Sequence, residues 1–385
     1  MNTKVLLPFL FAVLLVATSC EQELPIKANV PTFSIEIFAD NLQAELDGKV
    51  PDYQVMIAEK GNLYEAWAEG NSIYAPDPGG DRVMTTNTRM NVASVSKFVG
   101  AVAMCRVLEQ HNIGLDQPIH NYLPKSWKSQ VHPDHWEAIS PYTISFRNLM
   151  RMETGIDYVN SSMPSANTML DALKKPAKPS RVGTYQNGNF TLIRILIGEI
   201  EFQLDEEDED YNERTSRQYY RYINAHLFDP AGVQTVLRAD LIDEVDLARA
   251  YQLPLNPNFQ DDNGRLGWYG LPPNSFNSTA SGGLFLNVMD LGALMAYVRY
   301  TEDIISAEMR TELLDNELGL YESVDGNHGR YLVKQGTRGA DKYDRAYKSI
   351  VMMFPNDVEV ALLINANFAS SRTLLKQAYD AAWSN

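Results

Sequence analysis

Ser94 and Lys97 are the residues of this chain best placed to do chemistry. They stand three apart in Asn91-Val92-Ala93-Ser94-Val95-Ser96-Lys97-Phe98, and Ser-x-x-Lys occurs once in the 385 residues. From Phe98 the apolar residues Ala101, Val102, Cys105 and Leu108 recur at helical steps, which predicts a buried helix beginning near Ser94. On such a helix, side chains three apart share a face. The hydroxyl would then sit one turn from the amine, where free backbone N–H groups and the positive end of the helix dipole stabilise a developing oxyanion. A lysine kept from water loses its proton more easily and can act as a base. Ser94 would be a nucleophile and Lys97 its activator. Taken alone, the pair also fits a helix-capping serine followed by a surface lysine.

Acyl transfer asks for more groups: a second proton carrier, a cation for an anionic substrate and a second oxyanion donor. Tyr-x-Asn occurs three times, as Tyr158-Val159-Asn160, Tyr185-Gln186-Asn187 and Tyr222-Ile223-Asn224. The spacing alone does not choose among them. Lys334-Gln335-Gly336-Thr337 lies just before a C-terminal hairpin, where an edge strand could face the helix of Ser94, and its glycine would let a substrate approach the backbone. A solvated strand lysine is the plainer account of Lys334. His328 lacks the x-Gly spacing and is a weaker candidate for that place. No Gly-x-Ser-x-Gly elbow and no Gly-x-x-x-x-Gly-Lys phosphate loop occurs.

The elements that must hold these residues can be read coarsely. Ile35, Phe38, Leu42 and Leu46 mark one helix face, with Gly48 at its end. Residues 53–59 and 63–69 read as strands around Lys60-Gly61-Asn62, and residues 347–354 and 358–364 as a second hairpin around Pro355-Asn356-Asp357. The tail from Ser370 to Trp383 reads as a helix capped by Ser370 or Ser371. Strands near both ends and helical stretches between them predict an α/β domain split between residues 32–110 and 280–385, with a mostly helical domain at 111–279 inserted. No internal repeat is visible.

Composition excludes some classes. Hydrophobic residues make up 45% and charged ones 21%, a globular balance. The net charge of −16 repels phosphate backbones, so nucleic acid is not an expected partner. The six acids Asp205 to Asp210 lack the alternation and glycine of a calcium loop and read as a hydrated surface. His132 and His135 are separated by Pro133, with no third ligand near, so no metal is expected there. With Cys20 and Cys105 as the only cysteines, disulfides do not hold the fold.

The N-terminus reads as an address. Lys4 precedes an apolar run from Val5 to Val16, too short to span a bilayer, and then Ala17-Thr18-Ser19-Cys20. This resembles a bacterial lipoprotein signal: residues 1–19 would be removed, Cys20 lipidated, and residues 20–31 would tether the protein to a membrane of the cell envelope. Removal leaves 32 basic and 49 acidic residues, a charge of −17.

The ordered set of motifs resembles the penicillin-recognising serine hydrolases, in particular the class C β-lactamase, D,D-carboxypeptidase and esterase group. Asn91–Lys97 is similar to the first motif of that family. Gly114–Pro124, the segment Thr143–Tyr158 with its Thr154-Gly155-Ile156 turn, and Ser281-Gly282-Gly283 through Asp290 are similar to further landmarks. The resemblance implies an α+β, β-lactamase/transpeptidase-like fold: an antiparallel sheet flanked by helices. It singles out Tyr185, because Phe190 and an apolar helix to Gly198 follow it, whereas Tyr158 falls just after the turn and Tyr222 runs into Phe228-Asp229-Pro230-Ala231-Gly232. By resemblance Tyr185 shuttles protons, Asn187 positions the substrate amide and Lys97, and Lys334, Gln335 and Gly336 line the substrate site. The backbone N–H groups of Ser94 and Thr337 would form the oxyanion hole. Gln335 stands where the family has a threonine, which removes a hydroxyl. Arg338 and Asp341–Arg345 lengthen this region. The family needs no cofactor, and its substrates are small molecules or peptides: a cell-envelope D,D-peptide, a D-amino-acid peptide, an ester or a lactam.

Overall fold

The computed structural model describes residues 31–384 apart from 158–162, 205–209, 237–241, 243–245, 253, 257, 259, 261–263, 269–275 and 340–342. The lipoprotein-like signal with Cys20, the Tyr158 motif and most of the acidic run lie outside the described residues. Its one described acid, Asp210, precedes the helix Tyr211–Ile223 and pairs with Arg217 at 3.0 Å.

An antiparallel sheet organises the chain. Its strands run in the spatial order Asn62–Glu69, Tyr53–Glu59, Val358–Ile364, Tyr347–Met353, Gly329–Arg338 and Val324–Gly326. Both expected hairpins are present, and the strand Val358–Ile364 joins them by pairing with Tyr53–Glu59. The central strands are apolar on both faces, as a sheet covered on both sides requires. Alternation divides them: Val55, Ile57, Val360 and Met352 enter one core with Phe38, Leu42 and Tyr379, while Met56, Ala361, Leu363 and Val351 enter the other with Phe98, Val102 and Leu291. The first core lies under the terminal helices Ile35–Leu46 and Ser371–Asp380. The second holds Ser96–Gln110 and Val288–Tyr300.

The C-terminal helix stops at Asp380, short of the expected Trp383. Trp383 and Ser384 instead pair with Phe33 and Thr32, and the Trp383 ring stacks on His328 at 4.1 Å. There the half-buried indole packs against Phe33, His328 and Tyr379. Ser370 occupies the cap position, but its side chain makes no capping bond.

Between residues 111 and 279 the described chain adds no strand to the sheet, and its longer helices are Ala166–Leu173, Gly188–Phe202 and Tyr211–Ile223. The later part of that stretch returns to the strand-bearing region: Ala248 N donates to Arg89 O, Arg249 N to Ser72 O and Tyr251 N to Asn365 O, at 2.8–3.0 Å. No helix among the described residues is long and apolar enough to cross a membrane.

Candidate active site

The expected helix begins at Ser96, and a single 3-10 turn, Ala93–Val95, carries Ser94 into it. That turn is bent: Ala93 has φ +45°, a left-handed conformation costly for a residue with a Cβ. Neighbours impose it. Asn91 Oδ1 accepts from Ala93 N at 2.9 Å, Val92 N donates to Leu284 O at 3.0 Å, and Ser349 Oγ donates to Val92 O at 2.6 Å. The bend frees the serine from a capping role. Ser94 Oγ lies 2.5 Å from Tyr185 Oη and 2.9 Å from Lys97 Nζ, and the side chain makes no capping bond to the helix backbone.

Lys97 is fully buried on a helix packed all round. Its amine also donates to the carbonyl of Ser281, in the Ser-Gly-Gly stretch. Burial pushes the Lys97 amine well below its ordinary range, and the cations of Lys334 and Arg338 push the same way, against the opposing pull of Glu322. No carboxylate touches it among the described contacts.

Tyr185 comes from the segment between the turn Pro179–Arg181 and the helix Gly188–Phe202. That helix can press against the serine helix because residue 100 is glycine: a Cβ there would meet the Phe190 ring at 3.1 Å. Both lysine amines lie near the Tyr185 ring, with Lys97 Nζ 5.0 Å and Lys334 Nζ 5.8 Å from its centre. Asn187 stands at the start of the same helix, its carbonyl accepting from Phe190 N and Thr191 N. The competing Tyr222 is buried elsewhere, donating to Gln110 Oε1, and Asn224 ties its side chain to the backbone of Val236. His328 sits with Trp383 and Tyr379 under the termini. His135 is buried beside the Lys175 carbonyl, with Nε2 at 2.9 Å from that oxygen.

The strand Gly329–Arg338 passes directly beside the serine turn. A Cβ on Gly336 would come within 2.7 Å of both Ser94 N and Val92 O and 2.4 Å of Ser349 Oγ, so the close approach requires glycine. Alternation puts Lys334 and Gly336 on the face of the serine helix and Gln335 on the other face, with Val333. Beyond Tyr331 this strand has Tyr347–Met353 on one side and, among the described residues, an isolated bridge from Val333 to Tyr321 but no further strand on the other. Gln335 N donates to Glu322 Oε2 at 2.8 Å, which shows that its amide points to that open edge. Backbone direction repeats every second residue, so Thr337 N–H points the same way, past the Ser94 turn.

Two residues that the motifs do not contain complete the site. Lys334 is fully buried, not solvated, and its amine lies 2.5 Å from Glu322 Oε2 and donates to Gln335 O at 2.7 Å. Tyr321 lies under the same amine, 4.9 Å from ring centre to Nζ, and meets the Tyr185 ring edge-on at 6.0 Å. Burial pushes the Tyr321 phenol well up, reinforced by Tyr185 and Glu322. Both precede the short strand Val324–Gly326: an isolated parallel bridge pairs Tyr321 with Val333, and Glu322 follows it beside Lys334. A cleft of about 270 Å³ opens beside Tyr185 and Tyr321, lined also by Arg151, Glu153 and Glu317.

The family model described as Beta-lactamase matches residues 38–382. A search of curated protein sequences gives no match. Similar solved structures include FmtA from Staphylococcus aureus, at TM-score 0.64 and 16% identity over 94% of this chain and 91% of that one. EstCE1, a hydrolase with promiscuous acyltransferase activity, matches at TM-score 0.61 and 16% identity, over 90% of this chain and 98% of that one. The class C β-lactamase from Rhodobacter sphaeroides matches at TM-score 0.60 and 13% identity, over 90% and 99%. At these identities the likeness is one of fold: the chain has the β-lactamase/transpeptidase-like α+β architecture.

Proposed function

Because the chain belongs to the Beta-lactamase family, we propose that it is a serine hydrolase that cleaves an amide or ester through an acyl-enzyme on Ser94. The observation that carries this reading is the convergence of two distant segments on one hydroxyl, with Tyr185 Oη at 2.5 Å and Lys97 Nζ at 2.9 Å from Ser94 Oγ. Ser94 Oγ attacks the carbonyl carbon while its one proton passes to Lys97, for Tyr185 to relay onward. The lone pair of a neutral Lys97 is available for that proton because burial disfavours the ammonium. The carbonyl oxygen, now negative, takes hydrogen bonds from Ser94 N–H and Thr337 N–H; losing one such donor costs on the order of 3 kcal/mol. Tyr185 returns the proton to the leaving group, and water releases the acyl group with the same base assisting. Asn187 orients the substrate. Lys97, Tyr185 and the two amides supply base, acid and oxyanion donors without a cofactor.

The substrate is a cell-envelope D,D-peptide, a D-amino-acid peptide or an ester, and the protein acts at a membrane surface through a lipid on Cys20. Family membership also supports lactam hydrolysis as a second reading. The test is covalent labelling of residues 21–385 with a reporter ester and a fluorescent penicillin. A Ser94 adduct with either supports the hydrolase, and turnover of a cephalosporin faster than of a D-Ala-D-Ala peptide selects the lactamase. If Ser94→Ala labels as well as wild type, the assignment of the nucleophile is wrong. Absence of any adduct with ligand binding retained points to a silent binding protein.

A further inference from the structure

Lys334 is the cation that resemblance assigns to a substrate carboxylate, yet it already holds one. Glu322 Oε2 lies 2.5 Å from its amine. The same oxygen accepts the Gln335 N–H at 2.8 Å, and the amine in turn donates to the Gln335 carbonyl at 2.7 Å. Every polar group that the strand offers at residue 335 toward its open edge is therefore engaged from within the chain. The Glu322 side chain keeps 22% of its surface exposed, so its charge is not wholly covered by the protein.

The reaction geometry says what enters there. The reacting carbonyl lies between Ser94 N–H and Thr337 N–H. The leaving group must reach Tyr185 Oη, and the Tyr185 ring lies 5.8 Å from the Lys334 amine. The leaving group is thus the part of the substrate that faces Lys334 and Glu322.

We infer that Glu322 sets the substrate class of this site, admitting esters and amides whose leaving group is uncharged and rejecting those whose leaving group carries a carboxylate. Two effects act together. A substrate carboxylate meets a cation whose charge is already matched and an anion that repels it. An extended peptide cannot add to the strand edge past Thr337, because the Gln335 amide and carbonyl are both occupied. This inference rests on the reading of Ser94 as nucleophile and narrows its substrates to esters and amides with compact, uncharged leaving groups, which sets aside the D,D-peptide, whose leaving D-amino acid carries a carboxylate.

The test compares phenyl acetate with 3-carboxyphenyl acetate, which share an acyl group and differ by one carboxylate on the leaving phenol. Each kcat/KM is divided by the hydroxide-catalysed rate of the same ester. Wild type should prefer phenyl acetate by about tenfold or more. Glu322→Gln keeps an oxygen for the Gln335 N–H, loses the charge, and should reduce the preference by a similar factor. Glu322→Asp keeps the charge and should keep the preference. Equal use of the two esters by wild type, or a ratio unmoved in Glu322→Gln, overturns the inference and leaves the hydrolase intact. Should Glu322→Gln fail to fold, the wild-type ratio decides. Hydrolysis of neither ester together with no Ser94 adduct removes the hydrolase reading, and this inference with it.

Discussion

Lys97 and Lys334 are both fully buried, and their amines flank the same phenol at 5.0 and 5.8 Å. Their surroundings differ in one respect. Among the described residues Lys97 bonds a hydroxyl and a backbone carbonyl, whereas Lys334 bonds a carboxylate and a backbone carbonyl. Burial lowers both amines from the ordinary lysine range, but Glu322 works against it, most directly at Lys334. One fold position therefore yields an amine ready to part with its proton, and the other a fixed ammonium locked to its counter-ion. Burial alone does not make a base; the partner decides.

The sharpest way to break this comparison is to remove the amine assigned the proton. Lys97→Met should lower kcat/KM for a reporter ester by about 10²–10⁴-fold, the usual contribution of a positioned general base. Lys97→Arg should not recover it, because a guanidinium keeps its proton. Stopped-flow acylation rates for the two variants check this, and an arginine variant acylating near the wild-type rate would remove Lys97 from the base role. The strand carrying Lys334 contributes chiefly by position. Gly336→Ala places a methyl 2.7 Å from Ser94 N and must push strand and serine turn apart. A displacement near 1 Å at reacting groups costs about 10²-fold, so kcat should fall by roughly that amount while the chain still melts cooperatively.

A smaller effect separates the two amines by pH. The limb of kcat/KM that rises with pH reports deprotonation of Lys97, and three neighbours set its place: Lys334 and Arg338 push it down, Glu322 pulls it up. Lys334→Met removes a cation and leaves Glu322 unpaired. Both changes favour the Lys97 ammonium, so the limb should move to higher pH in a kcat/KM profile of a neutral ester. A limb that stays in place would show that the two amines do not sense one another.

Half of this arrangement was legible in the sequence. The Ser94/Lys97 spacing, the alternating strands and the hairpin turns each carry their own periodic signature, and the structure places Ser94, Lys97, Tyr185 and Lys334 in one cluster. The capping role that serine usually fills did not apply, because Asn91 and Ser349 bend the chain ahead of the helix. The partners of the amines were not legible for two physical reasons. Ser281 acts through its carbonyl, which every residue type possesses. Glu322 lies twelve residues from Lys334 and reaches it from a turn held by an isolated bridge between Tyr321 and Val333, and a lone glutamate in a charged chain carries no mark of burial. The segment Leu247–Tyr251 joins the strand-bearing region through isolated backbone bridges, too short to leave an alternating pattern.

The smallest predicted effect concerns stability and runs opposite to activity. In the unfolded chain Lys97 keeps its ordinary value near 10.5, while in the fold burial holds it well below that. Between those two values the unfolded state binds the extra proton, so stability from this group is lowest below the folded value and rises with pH through the window. Replacing the amine by a thioether of similar shape removes that penalty. It also leaves the Ser281 carbonyl without its donor, which offsets part of the gain. Lys97→Met should therefore raise Tm at pH 7 by about 1–3 °C, with the gap closing as pH approaches 10. Lys334→Met should do the reverse at pH 7, because it strands the Glu322 carboxylate beside a buried strand without its counter-ion. Melting curves of the two variants at pH 7 and pH 9.5 decide the matter. If both lysines destabilise or both stabilise when removed, the distinction drawn from their partners does not hold, and desolvation alone governs the pair.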